Sequence, residues 1–309
     1  MNRLKKMLDI FRRFPIIFGF IGIVILFSIL SEWFLSVSNL FNILRQISIN
    51  ATIAFGMTFV ILSGGIDLSV GSVFAFAAIV GASFLQGGSL LLGIASALIV
   101  GAFFGAFNGL IIAKMKLQPF IVTLATMAIA RSFTQVYSQG RPITGFPDTF
   151  RFIGRGDFLG IPIPIIIMFS IFLISLYLLS NTKLGLYTYS IGGNEEATRL
   201  SGVKVVRYKI LIYTLSGLFA AVSALILTAR LNSAQPIFGT GYELDAIAAV
   251  VLGGTSLSGG KGSIVGTLFG AMVMGTINNG MNLVGVSPFY QQAVKGAVIL
   301  LAVMAEKNE

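Results

Sequence analysis

The chain has 309 residues, 56% of them apolar and only 10% charged, with a mean hydropathy of +0.93. A soluble domain is about one quarter charged, so composition excludes a soluble globular, disordered or coiled-coil protein and predicts an all-α, polytopic membrane protein of about ten helices, a span taking about 20 mainly apolar residues. The lack of Cys and His excludes disulfides, thiolate and imidazole metal sites and the Ser-His-Asp triad, and the net charge of +10 is read as basic anchoring of cytoplasmic loops, not as nucleic-acid binding.

In chain order, Arg3, Lys5, Lys6, Arg12 and Arg13 form a basic stretch over residues 1–13 ahead of an apolar run from Phe14 to Leu30. The run is too long for a signal peptide and no small-residue cleavage site follows, so it reads as an uncleaved first span. Apolar segments recur at 47–63, 70–86, 90–113, 119–137, 162–180, 210–229, 244–257, 263–283 and 288–305, giving ten spans. The segment at 244–257 is short and interrupted by Gly, and reads as a span or as a re-entrant segment. The longest polar stretches, 138–161 and 181–209, leave no room for a soluble domain, so residues 1–309 form one transmembrane domain. With the N-terminus inside, inside loops hold fourteen of the 21 basic residues and outside loops hold six, Arg131 among them, while Lys295 lies in the last span. That bias predicts both termini in the cytoplasm.

Two segments repeat. Leu62–Gly71 reads LSGGIDLSVG and Leu252–Gly260 reads LGGTSLSGG; both contain GGxxLSxG, offset by 189 residues. Asn108-Gly109 has a counterpart in Asn279-Gly280. Repeated halves with Gly-interrupted segments at matching places predict broken helices beside a transport pathway, since non-helical backbone at membrane depth needs shielding by protein or a water-filled cavity. Gly64, Gly65, Gly253 and Gly254 are therefore candidate pathway residues. Six spans separate the motifs, which makes the repeat parallel unless 244–257 is re-entrant. GGTSLSGGKG is not a P-loop, because Thr255 and Gly262 stand where Gly and Ser or Thr are required; no catalytic, metal or cofactor site is expected.

Charges inside a membrane mark a pathway or an internal pair. Asp67 caps the next helix or lines the pathway, and Glu243 and Asp245 are first-turn residues with the same two readings. Lys295 pairs or snorkels. Asn50, Thr58, Asn278, Asn279, Asn282, Gln291 and Gln292 lie on apolar helices, where they line a path for a neutral, hydroxyl-rich solute or hold helices together. Gly101, Gly105 and Gly109 share one helical face, as do Gly266 and Gly270, which is the small-residue pattern of close helix packing within a subunit or across a dimer seam. In the loop 181–209, Gly192-Gly193-Asn194 breaks the chain and Glu195 to Leu200 form a short helix. Asn194 is its N-cap, Glu195 and Glu196 fill its first turn, and Ser201-Gly202 ends it. Such a helix docks into a partner or forms a solvated linker.

GGIDLSVG (64–71), LQPFIVTLATM (117–127), GGNEEATRLSGVKV (192–205), ARLNSAQP (229–236), GTGYELDAIAAVVLGGTSLSGGKGSIVGT (239–267) and NNGMNLVGVSPFYQQAVKGAVILLAV (278–303) resemble the permease subunits of bacterial ABC sugar importers, over nearly the whole chain. The long motifs are those of the branch importing ribose and related monosaccharides. The resemblance implies a bacterial inner-membrane transport subunit without enzymatic activity. It also implies a pathway formed with a second permease copy, an ATP-binding subunit with fused nucleotide-binding domains, and an extracytoplasmic sugar-binding protein. The helix of Asn194, Glu195, Glu196, Arg199 and Gly202 resembles the family's coupling helix, although 196–202 departs from the stricter EAA-type signature of other importers. The competing reading is an ion-coupled secondary transporter of a small neutral solute. Three acids near the membrane, all at predicted helix ends, are a poor proton relay.

Overall fold

The computed structural model describes residues 15–306; the basic stretch 1–13 and Lys307 lie outside the described residues. In chain order the helices are α1 (Pro15–Leu30), α2 (Val37–Leu62), α3 (Val70–Gln86), α4 (Leu90–Met115), α5 (Pro119–Ser138), α6 (Asp148–Arg155), α7 (Ile163–Asn181), α8 (Lys183–Gly193), α9 (Glu195–Leu200), α10 (Val205–Leu231), α11 (Tyr242–Leu252), α12 (Ile264–Leu283) and α13 (Pro288–Glu306). Two short antiparallel ladders accompany them. β1 (Ile143–Thr144) pairs with β4 (Ser233–Ala234), and β2 (Asp157–Phe158) pairs with β3 (Ile161–Pro162).

Among the described residues five helices, α2, α4, α5, α7 and α10, are long and apolar enough to cross a bilayer. Their burial sorts them into layers. The most apolar windows of α2 and α10 are 78% and 67% buried, whereas those of α4, α5 and α7 reach at most 33%. The first pair is the centre of the fold, and the others turn apolar faces outward. In lipid that outward face gains nothing from being covered by another Leu, so close contact falls to small residues. A Cβ on Gly101 would lie 2.3 Å from Gly217 O, one on Gly105 2.2 Å from Tyr213 O, and one on Gly109 2.7 Å from Ile210 Cα. The stripe on α4 therefore packs backbone to backbone against α10, within one chain. The second stripe does the same: a Cβ on Gly266 would lie 2.0 Å from Gly253 O and one on Gly270 1.9 Å from Ala249 O, placing α12 flush on α11.

The structure corrects several boundaries. α2 starts at Val37, ten residues before the predicted 47, because Ser36 caps it by accepting from Asn39 N and its polar first half is absorbed by partners. Arg45 thus belongs to a helix, not a loop. Segment 244–257 is half helix: α11 has 11 residues, about 16 Å at the usual rise, and 253–263 is non-helical. The polar stretch 138–161 holds α6 and a hairpin whose two turn residues, Leu159 and Gly160, both take positive φ, as a type I′ turn requires. In 181–209, Gly192 and Gly193 close a helix, α8, that Thr182 caps by accepting from Leu184 N, so the short helix after Asn194 is not the only capped element there.

Candidate functional site

The two repeated segments come together. Leu62 ends α2 with Gly64 at φ +80°, and Gly64 N and Gly65 N donate to Ile61 O and Val60 O. Leu252 ends α11 with Gly254 at φ +79°, and Gly254 N and Thr255 N donate to Val251 O and Val250 O. Both are Schellman ends, where Gly supplies the left-handed residue. Gly260 N then donates 2.9 Å to Leu62 O, so the breaks touch on one side of the fold. The motif offset of 189 holds for the turn that follows: Ser69 N donates to Asp67 Oδ1 and Ser258 N to Ser256 Oγ. The helix ends match at 190 instead, so the second break is one residue shorter, and Ser256 stands where the first break has Asp67.

Asp67 is buried, 1% exposed, and every hydrogen bond it makes is as acceptor. Ser69 N (3.0 Å), Ser69 Oγ (2.6 Å) and Ser216 Oγ on α10 (3.2 Å) all donate to it. Ser69 Oγ in turn accepts from Asn108 Nδ2 on α4, and Asn108 Oδ1 accepts from Thr126 on α5. The carboxylate thus ties the start of α3 to three other helices. It does this from two residues before the N-cap, Ser69, rather than from the cap position. Gly65 lies against Tyr213, whose hydroxyl would sit 2.3 Å from a Cβ there and has no hydrogen-bond partner among the described residues.

Deeper in the fold, the starts of α3 and α11 face each other. A Cβ on Gly71 would lie 2.2 Å from Gly239 O, and the Phe74 and Tyr242 rings meet edge-on at 5.3 Å. Arg131 on α5 fixes the strand of chain leading into α11 by donating to Pro236 O (2.8 Å) and Phe238 O (2.9 Å). Glu243, in the first turn of α11, accepts from Gly241 N at 3.3 Å. Sequence reading placed Arg131 in an outside loop; its position inside the apolar run 119–137 was the available signal that it serves a helix. Guanidinium donors suit this role because free carbonyls beside a broken helix otherwise lack partners.

The other polar candidates divide. Asp245 pairs with Lys295 at 2.9 Å, with 4% of the Asp245 side chain exposed. Asn279 and Asn39 exchange two 3.0 Å amide hydrogen bonds between α12 and α2. Asn282 accepts from Gln291 at 2.8 Å in a more exposed pair. Thr58 and Thr267 join at 2.7 Å. Asn50 is half-buried and its side chain makes no hydrogen bond among the described residues. Lys295→Ala leaves Asp245 without its cation. Losing one partner of a buried pair costs about 3–5 kcal/mol, less here because Lys295 is 24% exposed. We expect the single variant to lose most of its monodisperse protein in detergent, and Asp245→Ala/Lys295→Ala to recover much of it. Equal yields for the two variants would remove the pair from the account.

At the end of the fold where the breaks meet lies α9. Asn194 Oδ1 accepts from Ala197 N at 2.9 Å, the predicted cap, and Gly202 takes φ +84° just after the helix. Arg199 grips Glu196 with two hydrogen bonds, 3.0 and 2.6 Å, on an exposed face. The hydrogen bond from Arg199 holds the Glu196 carboxyl below its ordinary value. Glu195 does not share that face: it pairs at 2.6 Å with Lys209 of α10, whose side chain is 11% exposed. Glu195 stays half exposed while its carboxylate reaches Lys209, which lies in the body of α10 and not in the predicted loop.

The family model described as the branched-chain amino acid transport system / permease component matches residues 39–303. The ribose import permease protein RbsC of Bacillus subtilis (strain 168) is 53% identical over 294 residues, covering 94% of this chain and 91% of that protein. RbsC of Escherichia coli (strain K12) is 53% identical over 292 residues, covering 93% and 91%. In three dimensions, a metal-chelate type ABC transporter in an inward-facing conformation superposes with a TM-score of 0.57 at 17% identity, covering 94% of this chain and 99% of that one, a likeness of fold.

Proposed function

We infer function from kinship: the chain belongs to the family of permease components of the branched-chain amino acid transport type, and is a transport subunit, not an enzyme. On that premise it is the membrane subunit of an ATP-driven, binding-protein-dependent importer of ribose. The observation that carries the sugar is the identity to ribose import permeases over more than nine-tenths of each chain. A second copy of the chain completes the pathway, an ATP-binding subunit with fused nucleotide-binding domains docks on α9, and an extracytoplasmic binding protein delivers the sugar. Ten helices, α1 to α5, α7 and α10 to α13, account for a ten-pass topology with both termini in the cytoplasm of a bacterial inner membrane, α11 passing only part of the way.

The pathway in this reading runs beside the two breaks, at Gly64, Gly65, Asp67, Gly253 and Gly254, with half-buried Asn50 free to meet a sugar hydroxyl. Asn279 is committed to Asn39, and Asn282 and Gln291 to each other, so these amides meet solute only when their pairs open. A neutral sugar fits a route whose charges are already engaged: Asp245 by Lys295, and Asp67 by hydroxyl and amide donors.

The experiment is uptake of radiolabelled ribose into proteoliposomes holding permease and ATPase, with binding protein outside and ATP inside. We expect accumulation that requires ATP and survives ionophores that collapse proton and sodium gradients. Uptake that persists without ATP and stops with ionophore establishes the ion-coupled alternative. Preferential accumulation of another sugar removes ribose.

A further inference from the structure

We propose that Tyr189 and Gly192, at the end of α8, are positioning residues that carry displacement of α9 to both repeat breaks at once. The proposal rests on the reading of α9 as the ATPase contact and goes beyond it. The Thr198 hydroxyl of α9 is shared between Ser190 O (2.8 Å) and Asn194 O (2.7 Å), and Asn194 N donates to Ser190 O at 3.0 Å, fastening α9 to the last turn of α8. One residue earlier, the Tyr189 hydroxyl donates 2.8 Å to Gly262 O, in the stretch leading into α12. At Gly192 the two breaks and α8 converge with no side chain between them. A Cβ on Gly192 would lie 1.8 Å from Leu62 O and 2.6 Å from Gly260 N. A Cβ on Gly259 would lie 2.9 Å from Gly64 N and 3.0 Å from Gly192 Cα, and one on Gly260 3.0 Å from Gly193 Cα.

This contact has a mechanical meaning. Where side chains separate two segments, rotamer changes absorb small shifts. Three backbones in direct contact have no such slack, so a shift of one displaces the others, as packed interfaces switch between arrangements rather than deform smoothly. The segments moved are those that set the starts of α3 and α12. Thr198, Ser190, Tyr189 and Gly192 thus form one short mechanical link from the docking helix to the two places where the helices are broken. Coupling through this link is motion at a break that follows ATP at the ATPase.

The chain has no Cys, so Ser258→Cys, at an exposed site in the second break, gives a single labelling position. In the reconstituted complex of permease, ATPase and binding protein, we expect ATP to change the thiol-labelling rate at 258 severalfold. Tyr189→Phe, which removes one hydroxyl, should abolish that change and cut ribose uptake about threefold to tenfold. It should leave ATPase copurification and basal hydrolysis as in the parent. Gly192→Ala should cut uptake at least about tenfold. The double variant should be no worse than Gly192→Ala, as expected for residues acting in one joint. Should Gly192→Ala fail to fold, Tyr189→Phe decides alone. The proposal is overturned if Tyr189→Phe keeps both the ATP-driven labelling change and full uptake, or if it loses uptake only in proportion to lost ATPase association. Failure of the underlying reading looks different, since Glu196→Arg/Arg199→Glu then keeps full ATPase association and uptake while the unmodified permease still shows its ATP response.

Discussion

Gly65→Leu is expected to abolish ribose uptake, and Gly19→Leu to transport like the parent at matched membrane expression. At Gly65 a single added Cβ would fall 2.3 Å from the Tyr213 hydroxyl, and Tyr213 is 1% exposed, so its ring shifts only by displacing packed neighbours. Overpacking of this kind costs about 1–3 kcal/mol even for modest additions, and leucine adds three further carbons. The displaced element is the turn that carries Asp67 and the start of α3, so we expect uptake to fall at least about a hundredfold, a figure that corresponds to roughly 2.7 kcal/mol. Gly254→Leu fails for another reason. Nothing lies within 4 Å of its Cβ position, but its φ is +79°, and a left-handed backbone costs a non-Gly residue roughly 1–2 kcal/mol. Its loss should be smaller, about tenfold. Gly19 has open space and ordinary helical backbone. The measurement is initial uptake rate normalised to permease in the membrane, and equal rates for all three variants would sink the role assigned to the breaks.

Charge reversal on α9 should uncouple the importer without unfolding it, provided the right charges are reversed. Glu196→Arg/Arg199→Glu swaps an exposed pair three residues apart, preserves an ion pair on the same face and leaves the helix capped by Asn194. We expect copurification of the ATPase to fall severalfold and sugar-stimulated hydrolysis to disappear, with permease yield unchanged. Adding Glu195→Lys is a different experiment. It sets a second cation against Lys209, which is largely buried and has Glu195 as its salt-bridge partner, so the triple variant should also lose yield. If the double variant keeps full uptake and full ATPase association, α9 is not the contact and α8 becomes the next candidate surface.

The largely helical, membrane-type character, the first-turn placement of Glu243 and Asp245, the capped helix at Asn194 and the existence of two helix breaks were legible because each rests on local chemistry: hydropathy, caps and Gly. The GGxxLSxG match revealed the repeat but hid its one-residue difference, since the matching letters follow the side-chain turn and not the helix end. The roles of Arg131 and Ser216 were missed because they are defined by carbonyls and a carboxylate more than 100 positions away, and that of Asn108 because it bridges hydroxyls 39 and 18 positions off on two other helices. The start of α2 was misplaced for a related reason. Asn39 depresses local hydropathy, yet its polarity is satisfied by Asn279, 240 residues on.

The α4–α10 seam also limits how this protein can change. Gly101 and Gly217 each sit where the other's backbone forbids a Cβ, at 2.3 and 2.1 Å. A harmful enlargement elsewhere in a protein is often rescued by shrinking its neighbour. Across this seam the neighbour is already glycine and cannot shrink. A genetic screen for second-site suppressors of Gly101→Val should therefore never return a compensating change at codon 217, and shrinking Ala221, whose Cβ lies 2.7 Å from the same position, leaves the clash with Gly217 O in place.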